Sequence, residues 1–197
     1  MNVETEFVNT PSEPSTLERD YVRDWVDSRG RDYRVGVFER QRKGGHQPLV
    51  SNPTVAEIRE ALTACSPSMK GSILEVGCGW GRLLEELHCD FDITGCDVSD
   101  DMLGLADPRL KTFKLDIATE NIPFMRANEQ RWDVLFTRGV MLYFMEVPVQ
   151  MAYAMNNMLM LAAKRIIIWE WPEVCEKMRQ FSSSPKFEYR PIEHRSE

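Results

Sequence analysis

Apolar positions fall in short dense runs separated by polar turns, and strand-like runs alternate with helix-like ones. Ile73, Leu74 and Val76 make a run that suits a strand buried on both faces. Leu83-Leu84-Glu85-Glu86-Leu87 behind it is amphipathic and reads as helix. Further strand-like runs cover Phe91 to Cys96, Leu110 to Ile117, Trp132 to Thr137 and Ile166 to Trp171, and Phe187, Tyr189 and Ile192 suggest a last one. Between them Ser99 is a natural cap for a short helix through Ala106, while residues 118–131 read as a polar connection. Pro148 starts a helix to about Lys164 with Met151, Met155, Met158, Leu159 and Ala162 inward, and Pro172 starts another to Gln180. Upstream, Ser15-Thr-Leu-Glu18 is a capping box for a helix to Arg29, which Gly30 would close. Asn52-Pro53 reads as cap and first turn of a helix whose apolar face is Val55, Ile58, Ala61, Leu62 and Cys65. Alternating strand and helix over this length predicts an α/β domain.

The chemistry concentrates where the first strand ends. Gly77, Gly79 and Gly81 follow it at alternate positions, and a strand breaking into such a turn before a helix brings backbone close to a ligand. A dinucleotide fingerprint would need glycine at the sixth place from Gly77, where Arg82 stands. No G-x-x-x-x-G-K-[ST] phosphate loop occurs. Asp97 lies 20 residues after Gly77 at the end of the second run, where an acidic side chain can accept ribose hydroxyls.

The pattern Glu75-x-Gly77-x-Gly79-x-Gly81 resembles the first motif of the class I S-adenosylmethionine-dependent methyltransferases. GCDVSDDMLGLA, ending at Ala106, is similar to that family's second-strand segment, and FTRGVMLYF, ending at Phe144, to its fourth motif. The resemblance implies a doubly wound, mostly parallel central sheet of six or seven strands with helices on both faces. It also implies an N-terminal helical extension over the cofactor mouth. The expected organisation is a flexible tail over 1–14 and a single domain over 15–197. Within it, 15–50 would be a lid or substrate segment and 51–197 the cofactor-binding core. The family's closing antiparallel pair is expected to be shortened here to one strand.

By the same resemblance S-adenosyl-L-methionine is the cofactor. Gly77, Cys78, Gly79 and Gly81 would form its loop, and Glu75 would take backbone N–H groups or the methionine ammonium. Asp97 would hold the ribose, Val98 and Met102 flank the adenine, and Asp116 and the Ile117 N–H bond its edge. Thr137 would sit beside the methionine moiety. Met102 as plain helix packing and Asp116 as a turn aspartate stand as alternatives. Tyr143 and Glu170 are candidate catalytic groups, and Tyr21, Trp25, Arg138, Trp169 and Trp171 candidate acceptor contacts. For Tyr21, Trp25 and Trp169 the competing reading is ordinary packing.

Composition narrows the partners. A net charge of −7 argues against a protein made chiefly for phosphate backbones, yet residues 29–43 carry six cations against two anions. That basic segment keeps RNA as an alternative acceptor beside a small molecule or peptide side chain. No apolar run reaches the roughly 20 residues of a membrane span. Five cysteines without a C-x-x-C pair read as reduced thiols in a cytoplasmic protein, and three scattered histidines give no metal site.

Competing classes lack their marks. The [DNS]-P-P-[YF] tetrapeptide of amino-directed DNA methyltransferases is absent, and Arg138 stands where a ribose 2′-O enzyme would place aspartate. None of the five tyrosines has the lysine four residues on that many NAD-dependent dehydrogenases use. An aminopropyl transferase would need acidic groups around an amine. A non-catalytic accessory subunit would have lost the cofactor residues that this chain retains. Nothing in the pattern speaks to oligomeric state.

Overall fold

The computed structural model describes residues 54–65 and 71–192. The expected tail, the helix from Thr16 to Arg29 with Tyr21 and Trp25, and the basic segment lie outside the described residues. The first described helix, α1 (Val55–Cys65), buries Ile58, Ala61 and Leu62. At its start Glu57 N–H donates to Thr54 Oγ1 at 3.2 Å and Thr54 N–H to Glu57 Oε2 at 2.6 Å, a reciprocal capping pair, while Asn52 and Pro53 lie outside the described residues.

Six strands follow: β1 (Ser72–Val76), β2 (Asp92–Asp97), β3 (Thr112–Lys114), β4 (Trp132–Arg138), β5 (Ala162–Glu170) and β6 (Phe187–Pro191). They form one sheet in the order β3-β2-β1-β4-β5-β6, and every neighbouring pair is parallel. This is a doubly wound arrangement whose order reverses between β1 and β4. Helices α2 (Arg82–Leu87), α3 (Asp100–Leu103), α4 (Ile122–Ala127), α5 (Pro148–Leu161) and α6 (Pro172–Arg179) connect the strands, with a 3-10 turn over Met141–Phe144.

The three central strands are apolar on both sides because each side meets helices. Ile73, Val134, Phe136, Ile167 and Trp169 pack with α1 and α2. Leu74, Val76, Leu135, Ile166 and Ile168 pack with the methionine-lined face of α5, with Met125 of α4 and with Val174 and Met178 of α6.

Several boundaries differ from the sequence reading. The helix expected to reach Lys164 stops at Leu161, and β5 begins at Ala162, paired with Trp132. Pairing to β4 outweighs the helix-favouring Ala-Ala-Lys composition there. Residues 122–127 are helical, capped by Asn121, whose side chain accepts from Phe124 N–H at 3.3 Å. The closing element is one strand as expected, but it runs parallel to β5.

Candidate functional site

Ligands of a doubly wound sheet bind beyond the carboxyl ends of the strands at the reversal point, here the ends of β1 and β4. The turn after β1 holds Gly77, Gly79 and Gly81 at φ of 76°, 56° and 84°. Those left-handed values are accessible to glycine at little cost. Space forbids side chains as well. A Cβ on Gly77 would meet Val140 Cγ2 at 2.3 Å, and one on Gly79 would meet Met102 Cε at 3.0 Å.

The turn differs from a phosphate cradle in one respect. Gly77 and Cys78 N–H donate to Cys96 O at 2.8 and 3.0 Å, Gly79 N–H to Asp97 Oδ2 at 2.8 Å, and Gly81 N–H to Cys78 O at 3.0 Å. These four backbone donors are therefore engaged within the protein. What the turn offers a ligand is bare backbone surface, ringed by acids.

Glu75 is buried at the end of β1, and its Oε2 has no hydrogen-bond partner. Burial pushes its carboxyl up to about 8, against the pull of the Arg138 guanidinium and with a further push from Asp97. Asp97, 9% exposed at the end of β2, clamps two backbone groups: besides Gly79 N–H it accepts Ser99 N–H through Oδ1 at 2.9 Å. Ser99 caps α3 by accepting Met102 N–H at 3.3 Å, which sets Val98 and Met102, both half-buried, beside the glycine turn. Asp116 beyond β3 makes a turn, with Oδ1 accepting Ala118 N–H at 3.0 Å.

Asn157 holds that third loop from below. Its Nδ2 donates to Ile117 O and Thr119 O, both at 2.8 Å, from the buried face of α5. This residue is not among the candidates read from the sequence. Its signal was available: a polar amide on a buried helix face must find partners.

At the β4 end Thr137 is fully buried, and Arg138 is half-buried. Gly139 turns the chain at φ 64° and donates its N–H to Trp169 O at 3.0 Å. Tyr143, on the 3-10 turn, and Trp171, after β5, are half-buried. Glu170 is fully buried, and its Oε1 accepts Met141 N–H at 2.5 Å. Burial raises its carboxyl to about 7, opposed by backbone N–H groups of Met141, Val140, Leu142 and Trp171. Trp169 lies in the core, edge-on to Phe136 at 6.1 Å between centroids and covered by the Arg190 guanidinium. Cys78 is buried, with its sulfur only 2.7 Å from where a Cβ on Gly95 would stand, and burial pushes its thiol up. Its side chain packs in the core, so it faces the ligand side with backbone alone.

The structure thus brings Glu75, the glycine turn, Asp97, Val98, Met102, Asp116, Thr137 and Arg138 to one rim. It keeps Glu170 and Trp169 behind that rim. All five cysteines are free, and among the described residues no group of His, Cys, Asp and Glu could hold a metal ion. No described helix is long and apolar enough to cross a membrane.

The chain is thus an α/β protein with a doubly wound parallel sheet and an acid-ringed glycine turn at its reversal point. Residues 73–162 match a protein-family model described as "Methyltransferase domain". Through these residues, a little under half of its length, the chain is similar to methyltransferase domains.

Solved structures agree in fold. The magnesium protoporphyrin IX methyltransferase ChlM of Synechocystis PCC 6803, with bound SAM, is 19% identical, over 80% of this chain and 77% of that chain, at a TM-score of 0.53. The sugar N-methyltransferase KedS8 of Streptoalloteichus sp. ATCC 53650 is 19% identical, over 88% of this chain and 61% of its own, at 0.50. DesVI of Streptomyces venezuelae is 19% identical at a TM-score of 0.48, over 60% of this chain, which spans only 51% of DesVI. Curated protein sequences give no match to this chain.

Proposed function

We propose that the chain binds S-adenosyl-L-methionine over the glycine turn and carries its methyl group to a small molecule or a peptide side chain. One observation carries the reading. The N–H donors of Gly77, Cys78, Gly79 and Gly81 are spent internally, while Glu75, Asp97 and Asp116 stand at the ends of the three strands around the turn. Such a site repels phosphate and suits a ligand with positive charge at one end and a nucleoside at the other. Glu75, with an unpartnered buried oxygen, fits the ammonium of the methionine moiety. Asp97 and Asp116, whose carboxylates can each accept several hydrogen bonds, would meet the ribose and the adenine edge.

When bound, this cofactor supplies a methyl carbon activated by sulfonium, so the bonding pair returns to sulfur as the acceptor's lone pair forms the new bond. The protein's part is alignment and exclusion of water. Val98 and Met102 supply apolar contact for the base. Thr137, Arg138 and Tyr143 lie along the β4 exit, where the acceptor would approach, and Trp171 lines the neighbouring strand end. Tyr143 would meet the acceptor proton, and Glu170, bonded to Met141 N–H, would act through the loop that carries Tyr143.

Calorimetric titration of the full chain with S-adenosylmethionine tests the binding step, and absence of heat and of any melting shift would end the reading. Incubation with methyl-labelled cofactor and fractionated cell extract tests the acceptor. Label in the small-molecule or peptide fraction supports the proposal, whereas label in RNA would transfer it to nucleic acid and give the basic segment at 29–43 its role.

A further inference from the structure

Glu170 ends β5 with a carboxylate that no solvent reaches. A carboxylic acid in such a place is expensive unless it is paired, and no cation is among the groups acting on it. Its partners are backbone. Met141 N–H is at 2.5 Å, and the N–H groups of Val140, Leu142 and Trp171 act on it as well. Three of these four belong to the loop leaving β4, at the start of the 3-10 turn.

The other end of that turn is held by a cation: Lys177 Nζ of α6 donates to Met145 O. An acid at the first N–H groups and a base at the last carbonyl match the dipole of the turn. Val140, directly before the N–H that Glu170 accepts, is the residue whose Cγ2 fills the space above Gly77. The next, Met141, is fully buried in the core beneath.

We infer that Glu170 is the positioning residue of the β4 exit loop, fixing Val140 against Gly77 and Tyr143 beside the acceptor path without touching either ligand. The loop part of this inference stands on geometry alone, while its effect on ligand affinity rests on the reading that S-adenosylmethionine occupies the glycine turn. Without the carboxylate, Met141 N–H loses its acceptor inside the protein. The loop would then swing to find water, and Val140 would leave the glycine turn.

A purely space-filling Glu170 would behave otherwise. Replacing an idle buried acid by an apolar side chain of similar volume removes a desolvation cost and stabilises the protein. The two roles therefore separate on the pair Glu170→Gln and Glu170→Leu. Glutamine keeps one oxygen to accept Met141 N–H, and leucine keeps only volume.

Hydrogen exchange of the full chain, read on peptides spanning 139–145 and on peptides from the interior of β1 and β5, tests the loop. In Glu170→Leu, exchange over 139–145 should quicken about tenfold or more while the strand peptides hold, since an orphaned buried donor costs roughly 1–3 kcal/mol. Glu170→Gln should stay near wild type. Calorimetry should show the S-adenosylmethionine Kd about tenfold weaker in Glu170→Leu and within about threefold of wild type in Glu170→Gln.

Slow loop exchange in Glu170→Leu, or equal damage in both variants, would overturn the inference. Should Glu170→Leu fail to fold, Val140→Ala carries the test, because it removes the contact with Gly77 and keeps every N–H bond. An unchanged Kd in Val140→Ala would refute the coupling. If the wild-type chain binds no S-adenosylmethionine, the cofactor reading falls and loop exchange alone decides whether Glu170 holds the loop.

Discussion

Val140 occupies the place that a side chain on Gly77 would take, with its Cγ2 2.3 Å from the missing Cβ. The first glycine of the turn is thus required twice, by its φ of 76° and by a neighbour from another strand. A close approach of this kind joins the loops after β1 and β4 into one surface.

Gly77→Ala should therefore cost stability through both strain and clash, roughly 1–3 kcal/mol, and abolish measurable S-adenosylmethionine binding. Adding Val140→Gly should relieve the clash and leave the strain. Thermal melts should show the double variant recovering part of the loss. A double variant no better than Gly77→Ala would mean that the contact is unimportant.

Glu75→Gln should move stability and binding in opposite directions. Folding raises the Glu75 carboxyl from an ordinary 4.5 to about 8, so the folded state holds more protons than the unfolded one in that interval. Stability without ligand then falls as pH rises from near 4.5 towards 8 and levels beyond. Glu170, raised to about 7, adds to the same slope. The amide should flatten the Glu75 part of the slope and raise the Tm at pH 8. Loss of a charged acceptor for the ammonium should weaken S-adenosylmethionine about tenfold or more. Melting curves between pH 5 and pH 9, with and without ligand, read both effects.

The same group predicts proton release. At pH 7 much of Glu75 is protonated in the free protein, and an incoming ammonium favours the ionised form. Titrations in buffers of different ionisation enthalpy should report a fraction of a proton released per ligand bound at pH 7, absent in Glu75→Gln. Heats independent of buffer would contradict it.

Asn157→Leu should free the carbonyls of Ile117 and Thr119 and destabilise the protein by about 1–3 kcal/mol. Because those carbonyls belong to the loop that places Asp116, adenosine itself should bind more weakly to the variant. Equal loss for S-adenosylmethionine and adenosine would locate the effect at the nucleoside end, and retained adenosine affinity would refute it.

The residues legible in the sequence were those whose chemistry is local. Ser99 caps α3 as its position announced, and three alternating glycines before an amphipathic run place the turn. Hydrophobic runs marked β1, β4 and the 166–169 part of β5 because central parallel strands are apolar on both faces. Long-range effects were not legible. The start of β5 at Ala162 depends on a partner at Trp132, and nothing local distinguishes Ala-Ala-Lys-Arg as strand. The internal use of the glycine-turn N–H groups depends on Cys96 O arriving from β2. Asn157 acquires its role only once α5 lies under the third loop. A single strand likewise carries no sign of its direction, so the parallel setting of β6 emerged only in three dimensions.

That setting changes the polarity of the sheet's outer margin. With β6 parallel to β5, and Ile192 N–H bonded to Glu170 O at 2.7 Å, the polypeptide quits the sheet on the same side as the glycine turn. An antiparallel last strand would have delivered it to the far side. Whatever is attached downstream of Ile192, whether an affinity handle, a reporter or a tether, begins its path on the side of the sheet where the proposed cofactor and acceptor would enter.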